Sequence, residues 1–148
     1  MKWYLAYEEN CKCKDAVIET IADIRAAGYE ITDAAVPGNV EMDLMRTGKL
    51  PPLYYSTNTL EAQKLENHHF WYFAEFELDN TDVYLDFEGI DTIADIYING
   101  SLAATTDNMF LSYPVKGNFC IGRNEVVVHL KPVCIEARKY DLPCPAMR

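Results

Sequence analysis

Two loop segments of this 148-residue sequence carry side chains that could bind a ligand rich in hydroxyl groups. In the first, Asp107 and Asn108 precede Met109-Phe110; in the second, Asn58 follows Tyr54-Tyr55. Carboxylate and amide groups bond to hydroxyls and aromatic rings stack on flat apolar faces, so both segments are candidates for contacting a sugar. The alternative is that Asp107 and Asn108 cap their own turn, a common role of such residues in loops.

The acidic residues do not form a recognisable catalytic pair. Asp and Glu number 23, so many carboxylate pairs could be proposed and none is specific. Asp86, Glu88 and Asp95 alternate with apolar residues, which is typical of the solvated face of an antiparallel sheet. Nucleophile-elbow, phosphate-loop and dinucleotide-binding motifs are absent from the sequence. We therefore predict no catalytic residue in this chain.

Metal and cofactor sites are not indicated either. His68 and His69 are adjacent, but neighbours on a strand point to opposite faces and cannot easily chelate one ion. Cys11-Lys12-Cys13 lacks a companion pair with zinc-like spacing. The five cysteines are an odd set without regular spacing, so we predict free thiols. No metal and no cofactor is expected.

The charge balance limits the classes of partner. A net charge of −10 argues against nucleic acids and anionic membranes, whereas a neutral sugar would not be repelled. No apolar run approaches the ~20 residues of a membrane span, and residues 1–9 lack the apolar stretch of a signal peptide. The chain as given is therefore expected to be cytoplasmic, with neither a nucleic-acid nor a membrane partner.

The elements that would position the two loops differ along the chain. Residues 14–27 have apolar side chains at helical spacing, which predicts one amphipathic helix with Asp15 as its N-cap and Gly28 as its stop. Short helical turns suit residues 41–48 and 60–67. The front part of the chain is thus predicted to consist of helix and turns.

From about residue 70 to residue 130 the hydrophobic pattern has a period of two, and the clearest alternation runs from 94 to 98. Asn99-Gly100 predicts a tight hairpin turn, a reading favoured over the glycosylation sequon that it begins. Trp71 is expected in the core. The pattern predicts an all-β fold, a β-sandwich or jelly roll, followed by an exit segment over 131–148.

Several segments occur in an informative order. The most specific are FEGIDTIADIYING at 87–100 and DNMF at 107–110; weaker ones are VPGNVEMDL at 36–44, the tyrosine pair with Asn58, WYF at 71–73 and GRNEVVV at 122–128. In this order they resemble the N-terminal galactose-binding-like domain of glycoside hydrolase family two, particularly its β-mannosidase branch. The chain departs from the family at Pro51-Pro52-Leu53, where Asp-Pro is usual, and it contains no match to the tryptophan-rich segment that follows in the family.

The resemblance implies that intact relatives cleave terminal β-mannosides with two glutamates of a (β/α)8 barrel, outside a chain like this one. Residues 1–148 would then be a single non-catalytic domain and a fragment of a longer multidomain enzyme. Its partners would be the remaining domains of the same polypeptide and, through the parent enzyme, a β-mannoside or related glycoside. Asp107, Asn108 and Asn58 are its candidate contacts to the substrate pocket.

Two functions of other classes stay open at this point. The chain could be a freestanding carbohydrate-binding module, which would bind a mannoside by itself. It could also be a structural or interaction domain whose exposed aromatic residues pack on another domain. The residues that would distinguish β-mannosidase from neighbouring specificities of family two lie outside the chain.

Overall fold

The computed structural model describes residues 1–13 and 17–139. Its strands are β1 (Lys2–Glu9), β2 (Glu30–Ala34), β3 (His68–Leu78), β4 (Leu85–Phe87), β5 (Ala94–Ile98), β6 (Ser101–Thr106), β7 (Tyr113–Val115) and β8 (Gly122–Leu130). Its α-helices are α1 (Asn10–Cys13), α2 (Ile21–Ala27), α3 (Val40–Arg46), α4 (Thr59–Gln63) and α5 (Val133–Glu136), and turns of 3-10 helix cover Lys64–Asn67 and Ala137–Lys139. None of the helices in these ranges is long and apolar enough to cross a membrane.

The strands form two antiparallel layers. A six-stranded sheet has the order β2-β1-β3-β8-β5-β6, and β4 pairs with β7 in a second, two-stranded sheet. The long strand β3 lies at the centre of the large sheet, between β1 and β8. The predicted all-β fold is confirmed, as are the short helical turns at 41–48 and 60–67, which α3, α4 and the first 3-10 turn provide.

Two strands of the large sheet lie in the front part of the chain, where the sequence predicted only helix and turns. Strand β1 runs between β2 and β3, and its neighbouring residues Leu5 and Ala6 are both fully buried. A strand covered on both faces loses its hydrophobic alternation, so the pattern of residues 2–9 did not reveal it. The strand-rich part of the chain therefore begins at Lys2, not near residue 70.

The predicted helix over 14–27 is also shorter than expected. Helix α2 begins at Ile21 and its N-cap is Thr20; Asp15, the predicted N-cap, lies outside the described residues. Apolar spacing alone did not locate the start because Ile18 is buried without being helical. The predicted stop is confirmed, since Gly28 has a left-handed φ of 71° and closes the helix.

A reciprocal capping box fixes the start of α2. The N–H of Asp23 donates to Thr20 Oγ1 over 3.1 Å, and the N–H of Thr20 donates to Asp23 Oδ2 over 2.9 Å. Replacing Thr20 by alanine should lower the free energy of unfolding by about 1 kcal/mol, because the first turn loses this acceptor. Urea unfolding followed by circular dichroism measures it. Thr20→Ser keeps the hydroxyl and should stay close to wild type; equal losses in both variants would contradict the capping role.

Buried side chains cover both faces of the large sheet. The cluster between the two layers includes Leu5, Leu44, Tyr72, Ile96, Ile98 and Val126. The outer cluster, under α2, includes Ile21, Ile24, Trp71, Phe73 and Val127. Trp71 is only 1% exposed, which confirms its predicted place in the core.

The outer cluster explains why the prediction for one of the acidic residues is wrong. Asp86 and Glu88 are exposed, as expected. Asp95 is not solvated: it projects from the outer face of β5, its side chain is 14% exposed, and its Oδ2 lies 2.6 Å from Lys131 Nζ. The reason is that the outer face of the large sheet also carries core residues, so alternation along β5 does not separate core from solvent.

The remaining sequence predictions concern one turn and the end of the chain. Asn99 and Gly100 both have positive φ, 49° and 74°, which confirms the tight hairpin between β5 and β6. Within the exit segment predicted for 131–148, the part up to residue 139 contains α5 and the second 3-10 turn. Residues 140–148 lie outside the described residues.

Candidate functional site

A cleft of about 670 Å³ opens between the two layers. Its floor is the inner face of the large sheet, with Trp3, Phe70, Tyr72, Val128 and Leu130. Its walls come from four segments, which are residues 36–41, 86–91, 131–134 and part of 62–66. The cleft exists because the two-stranded sheet is much narrower than the six-stranded sheet that it faces. Loops and short helices, not strands, therefore cover much of the large sheet.

The rim of the cleft is acidic. It carries the exposed carboxylates of Glu41, Glu66, Asp86, Glu88 and Asp91. The half-buried Lys131, also at the rim, is already paired with a carboxylate of the large sheet. An apolar floor with polar groups at its edge is the usual composition of a site for a small molecule or a polypeptide segment.

A buried carboxylate holds one wall of the cleft. Asp43, on α3, is 1% exposed; its Oδ1 accepts from the N–H of Ala35 over 3.0 Å and from Arg46 Nη2 over 2.7 Å. Its Oδ2 accepts from the hydroxyl of Tyr72 over 3.0 Å. Burial raises the pKa of Tyr72, and the Asp43 charge raises it further, so the phenol remains a donor. These bonds tie the 35–40 turn to the large sheet.

The Asp107-Asn108 loop lies outside this cleft lining. Asn108 Oδ1 accepts from the N–H of Phe110 over 2.9 Å, and its carbonyl accepts from the hydroxyl of Tyr113, also over 2.9 Å. Asn108 thus makes the turn-capping bonds that the sequence offered as its alternative role. Asp107 is exposed, and Phe110 of the same loop is 86% exposed. The loop is held in shape by Asn108 and Tyr113 while it presents a carboxylate and an aromatic ring.

Two variants separate the roles of the neighbouring residues in this loop. Asn108→Ala should lower the free energy of unfolding by about 0.5–1 kcal/mol, because the Phe110 N–H loses its acceptor. Asp107→Ala should leave stability within about 0.5 kcal/mol of wild type, as expected for an exposed side chain without such a bond. Urea unfolding of both variants measures the difference. A larger loss for Asp107→Ala than for Asn108→Ala would contradict these assignments.

The second predicted loop also uses its amide for its own backbone. Asn58 Nδ2 donates to the carbonyl of Pro52 over 2.9 Å, closing the 52–58 segment. Tyr54 and Tyr55 are 97% and 77% exposed. Asn58 is not among the residues that line the cleft. The structure therefore places the sequence candidates in two surface loops, and the cleft is a feature that the sequence did not indicate.

The adjacent histidines lie on opposite faces of β3, and the cysteines of the described residues are unpaired. His68 lines the cleft, whereas His69 stacks on Trp71 of the outer cluster, which confirms that the adjacent pair points to opposite faces. Of the five predicted free thiols, those of Cys11, Cys13, Cys120 and Cys134 are free, and Cys144 lies outside the described residues. Within residues 1–13 and 17–139, no three His, Cys, Asp or Glu side chains are grouped so that they could hold a metal ion.

The sequence of this β-sandwich matches a known protein family. The family model described as "Glycosyl hydrolase 2 galactose-binding domain-like" matches residues 16–144. The chain belongs to this family. The resemblance carried by the 87–100 and 107–110 segments is therefore confirmed, and the chain is a galactose-binding-like domain of the kind found in family-two glycoside hydrolases.

The relatives of this galactose-binding-like domain are β-mannosidases. A probable β-mannosidase of Caenorhabditis elegans is 28% identical over 102 residues, covering 65% of this chain and 11% of that protein. The β-mannosidase of Rattus norvegicus is 34% identical over 85 residues, covering 54% of this chain and 10% of that protein. The chain thus spans about a tenth of the length of these relatives.

Solved structures give the same result for the fold. The β-D-mannosidase from Dictyoglomus thermophilum superposes with a TM-score of 0.73 at 29% identity, covering 97% of this chain and 17% of that one. The exo-chitosanase of Amycolatopsis orientalis superposes with a TM-score of 0.69 at 22% identity, covering 89% of this chain and 16% of that one. The second likeness shows only that the galactose-binding-like fold is shared.

Proposed function

We propose that this chain is the non-catalytic galactose-binding-like domain of a β-mannosidase-type glycoside hydrolase, and that it supports the sugar pocket of that enzyme. The observation that carries the proposal is the match to the D. thermophilum β-mannosidase over 97% of this chain at 29% identity. The parent enzyme would hydrolyse terminal β-mannosides. Its two catalytic carboxyl groups, about 5–5.5 Å apart in a retaining enzyme, would belong to another domain.

The charge of the domain is compatible with this substrate class. A terminal mannoside is neutral, so the net charge of −10 does not oppose its approach. The exposed Asp107 carboxylate and the exposed Phe110 ring of the same loop are of the types that bond and stack against a sugar. Asn108 and Asn58 already donate to or accept from backbone groups, so their proposed contribution is to hold the two loops in shape.

A domain exchange tests the supporting role. The matched segment of the D. thermophilum enzyme is replaced by this chain, and release of p-nitrophenol from p-nitrophenyl β-mannoside is measured. We expect the chimera to hydrolyse the substrate and the enzyme without the segment to be inactive. A chimera that is folded and monodisperse but as inactive as the deletion would contradict the proposal.

The same chimera tests the loop. Asp107→Ala should raise KM while leaving kcat nearly unchanged, because a group that only helps to bind the sugar contributes equally to ground and transition states. Lys116→Ala, an exposed charge outside the 107–110 segment, is the matched control and should leave both constants unchanged. A fall in kcat with unchanged KM would contradict a binding role for Asp107.

The isolated chain tests the non-catalytic half of the proposal. We expect no release of p-nitrophenol from β-mannosides by the purified chain. We also expect no measurable heat when mannose or mannobiose is titrated into it, since one loop without the rest of the pocket offers few contacts. Hydrolysis that scales with chain concentration would contradict this half, and millimolar binding would favour a freestanding carbohydrate-binding module.

The proposal includes a cytoplasmic location for the protein. The free thiols of Cys11, Cys120 and Cys134, all exposed, support it, because exposed thiols persist in reducing compartments. Fractionation of cells that express the natural gene tests the location. Recovery of the protein from the culture medium would contradict it.

A further inference from the structure

Four aromatic rings are stacked on the outer face of the large sheet. Tyr29 lies on Trp71 with ring centroids 4.9 Å apart, and Trp71 lies on His129 at 4.8 Å with an interplanar angle of 11°. His69 follows at 4.9 Å from His129. The two imidazoles come from β3 and β8, and both are half-buried. The mechanism proposed for the domain does not use this cluster.

The two imidazoles are linked in one chain of hydrogen bonds. His69 Nδ1 lies 2.8 Å from His129 Nε2, and His69 Nε2 lies 2.9 Å from Asn10 Oδ1. The Asn10 oxygen can only accept, so His69 Nε2 carries the hydrogen. His69 Nδ1 is then free to accept, and His129 Nε2 donates to it. Both rings are neutral in this arrangement.

We propose that Asn10, His69 and His129 form an acid-sensitive clamp, which holds α1 on the large sheet at neutral pH and releases it when the histidines take up protons. A second hydrogen on His69 would point at the hydrogen of His129 Nε2 unless that ring changed its tautomer. Protons on both rings would place two positive charges in contact. A single proton on His129 would leave its Nε2–H bond to His69 in place, so the chain of bonds breaks at its centre when both rings are protonated.

Charged groups from every surrounding element face this pair. Glu8 of β1, opposite His69, is paired with Lys12 over 3.1 Å, and Asp95 of β5, opposite His129, is paired with Lys131. Beyond β8, Glu136 favours a charged His69, whereas Lys131, Lys139 and the neighbouring His68 oppose it. The negative charges on β1 and β5 are thus already compensated, and the nearby lysines disfavour protonation.

Burial has the largest effect on both rings. It lowers the pKa of His69, and it lowers the pKa of His129 to about 3 with further contributions from His69 and Lys131. In the unfolded chain both histidines have the ordinary pKa of the side chain, about 6.5. The unfolded state therefore binds protons first as the pH falls. Stability from the neutral pair is complete above about pH 6.5 and is lost progressively below it, toward the folded pKa values.

Nuclear magnetic resonance of the histidine rings tests the clamp in the wild-type chain. Long-range proton–nitrogen spectra from about pH 8 down to about pH 2.5 should show both rings as Nε2–H tautomers near neutral pH, with midpoints well below the ordinary value near 6.5. The amide signals of Cys11 and Lys12 in α1 should shift together with the histidines. Two midpoints at the ordinary value, or α1 signals that do not follow them, would overturn the proposal.

Matched variants give a second readout. His129→Phe keeps an aromatic ring on Trp71 but cannot titrate, and His68→Gln removes the neighbouring histidine on the opposite face. Each proton taken up only on unfolding changes the unfolding constant about tenfold per pH unit. Below about pH 6, the unfolding constant of the wild-type chain should therefore rise more steeply with acid than that of His129→Phe, by a factor of about ten or more per pH unit. His68→Gln should keep the wild-type pH dependence. Wild-type dependence in His129→Phe, or its loss in His68→Gln, would overturn the proposal; if His129→Phe does not fold, the ring spectra decide.

Discussion

Replacing Asp43 by alanine is expected to lower the free energy of unfolding by about 3 kcal/mol, the largest loss that we predict for a single side chain in this domain. The carboxylate is 1% exposed and accepts from the N–H of Ala35, the Arg46 guanidinium and the Tyr72 hydroxyl. Removing it leaves the Ala35 and Tyr72 donors without partners in the wall of the cleft. Arg46 is half exposed, so water can solvate its charge and it adds little to the loss.

Urea unfolding of Asp43→Ala and of three further variants measures this effect and locates its cause. Glu41→Ala, in the first turn of the same helix but exposed, is the matched control and should change stability by less than about 0.5 kcal/mol. Tyr72→Phe should cost about 1 kcal/mol, the value of one hydrogen bond. The Asp43→Ala/Tyr72→Phe double variant should lose less than the sum of the two single variants, because both remove the same bond. Strict additivity would show that the Asp43–Tyr72 contact does not stabilise the fold.

Asp43 also illustrates what the sequence could and could not indicate. Its place in the VPGNVEMDL segment contributed to the family resemblance, and the helical turn over 41–48 was predicted correctly. Its partner Tyr72 is 29 residues away, and no periodicity links the two. Local pattern identifies a helical turn because neighbouring residues determine it, whereas the buried bond depends on how β3 is placed against α3.

The strands show the same distinction. The residues of β5 alternate between buried and half-buried, so the period of two was visible. Strand β1 lies between two others and buries consecutive residues, Leu5 and Ala6, so it has no alternation to detect. Its Trp, Tyr and Leu content was the available signal, since such residues favour strands. Composition would have identified this strand where periodicity could not.

The candidate site was predictable only in part. The sequence located two loops with exposed aromatic rings, and the structure shows that Asn108 and Asn58 fix the shapes of those loops. The cleft was not predictable, because its floor and walls come from segments as far apart in the chain as Trp3 and Cys134. The His69–His129 pair was missed for the same reason. In the sequence, the nearest histidine to His69 is His68, whereas the hydrogen-bond partner of His69 is 60 residues away.

Replacing Asn124 by alanine is expected to lower the free energy of unfolding by about 2 kcal/mol. This residue is 1% exposed, and its carboxamide makes four hydrogen bonds with nitrogen and oxygen partners. The oxygen accepts from the N–H of Cys120 and from Asn99 Nδ2, over 2.9 and 2.8 Å. The nitrogen donates to the carbonyls of Cys120 and Gly122, over 2.8 and 2.9 Å. Alanine would leave these backbone groups without partners beside the start of β8.

The network extends to the hairpin, which sharpens the test. Asn99, in the β5–β6 turn, accepts from the N–H of Glu125 over 2.9 Å while donating to Asn124, so the turn and β8 are held by one pair of amides. Asn118→Ala is the control, because it removes only an exposed side-chain amide that donates to Ser101. The backbone carbonyl of Asn118, which accepts from Asn99 Nδ2 over 3.0 Å, stays in place, so this variant should lose less than about 0.5 kcal/mol. Asn124→Asp should lose as much as alanine, because a carboxylate of the same shape would face two carbonyl oxygens and could donate to neither. Urea unfolding near pH 7 measures all three; wild-type stability of Asn124→Asp would show that the shape of the side chain, and not its donated hydrogen bonds, holds the hairpin to β8.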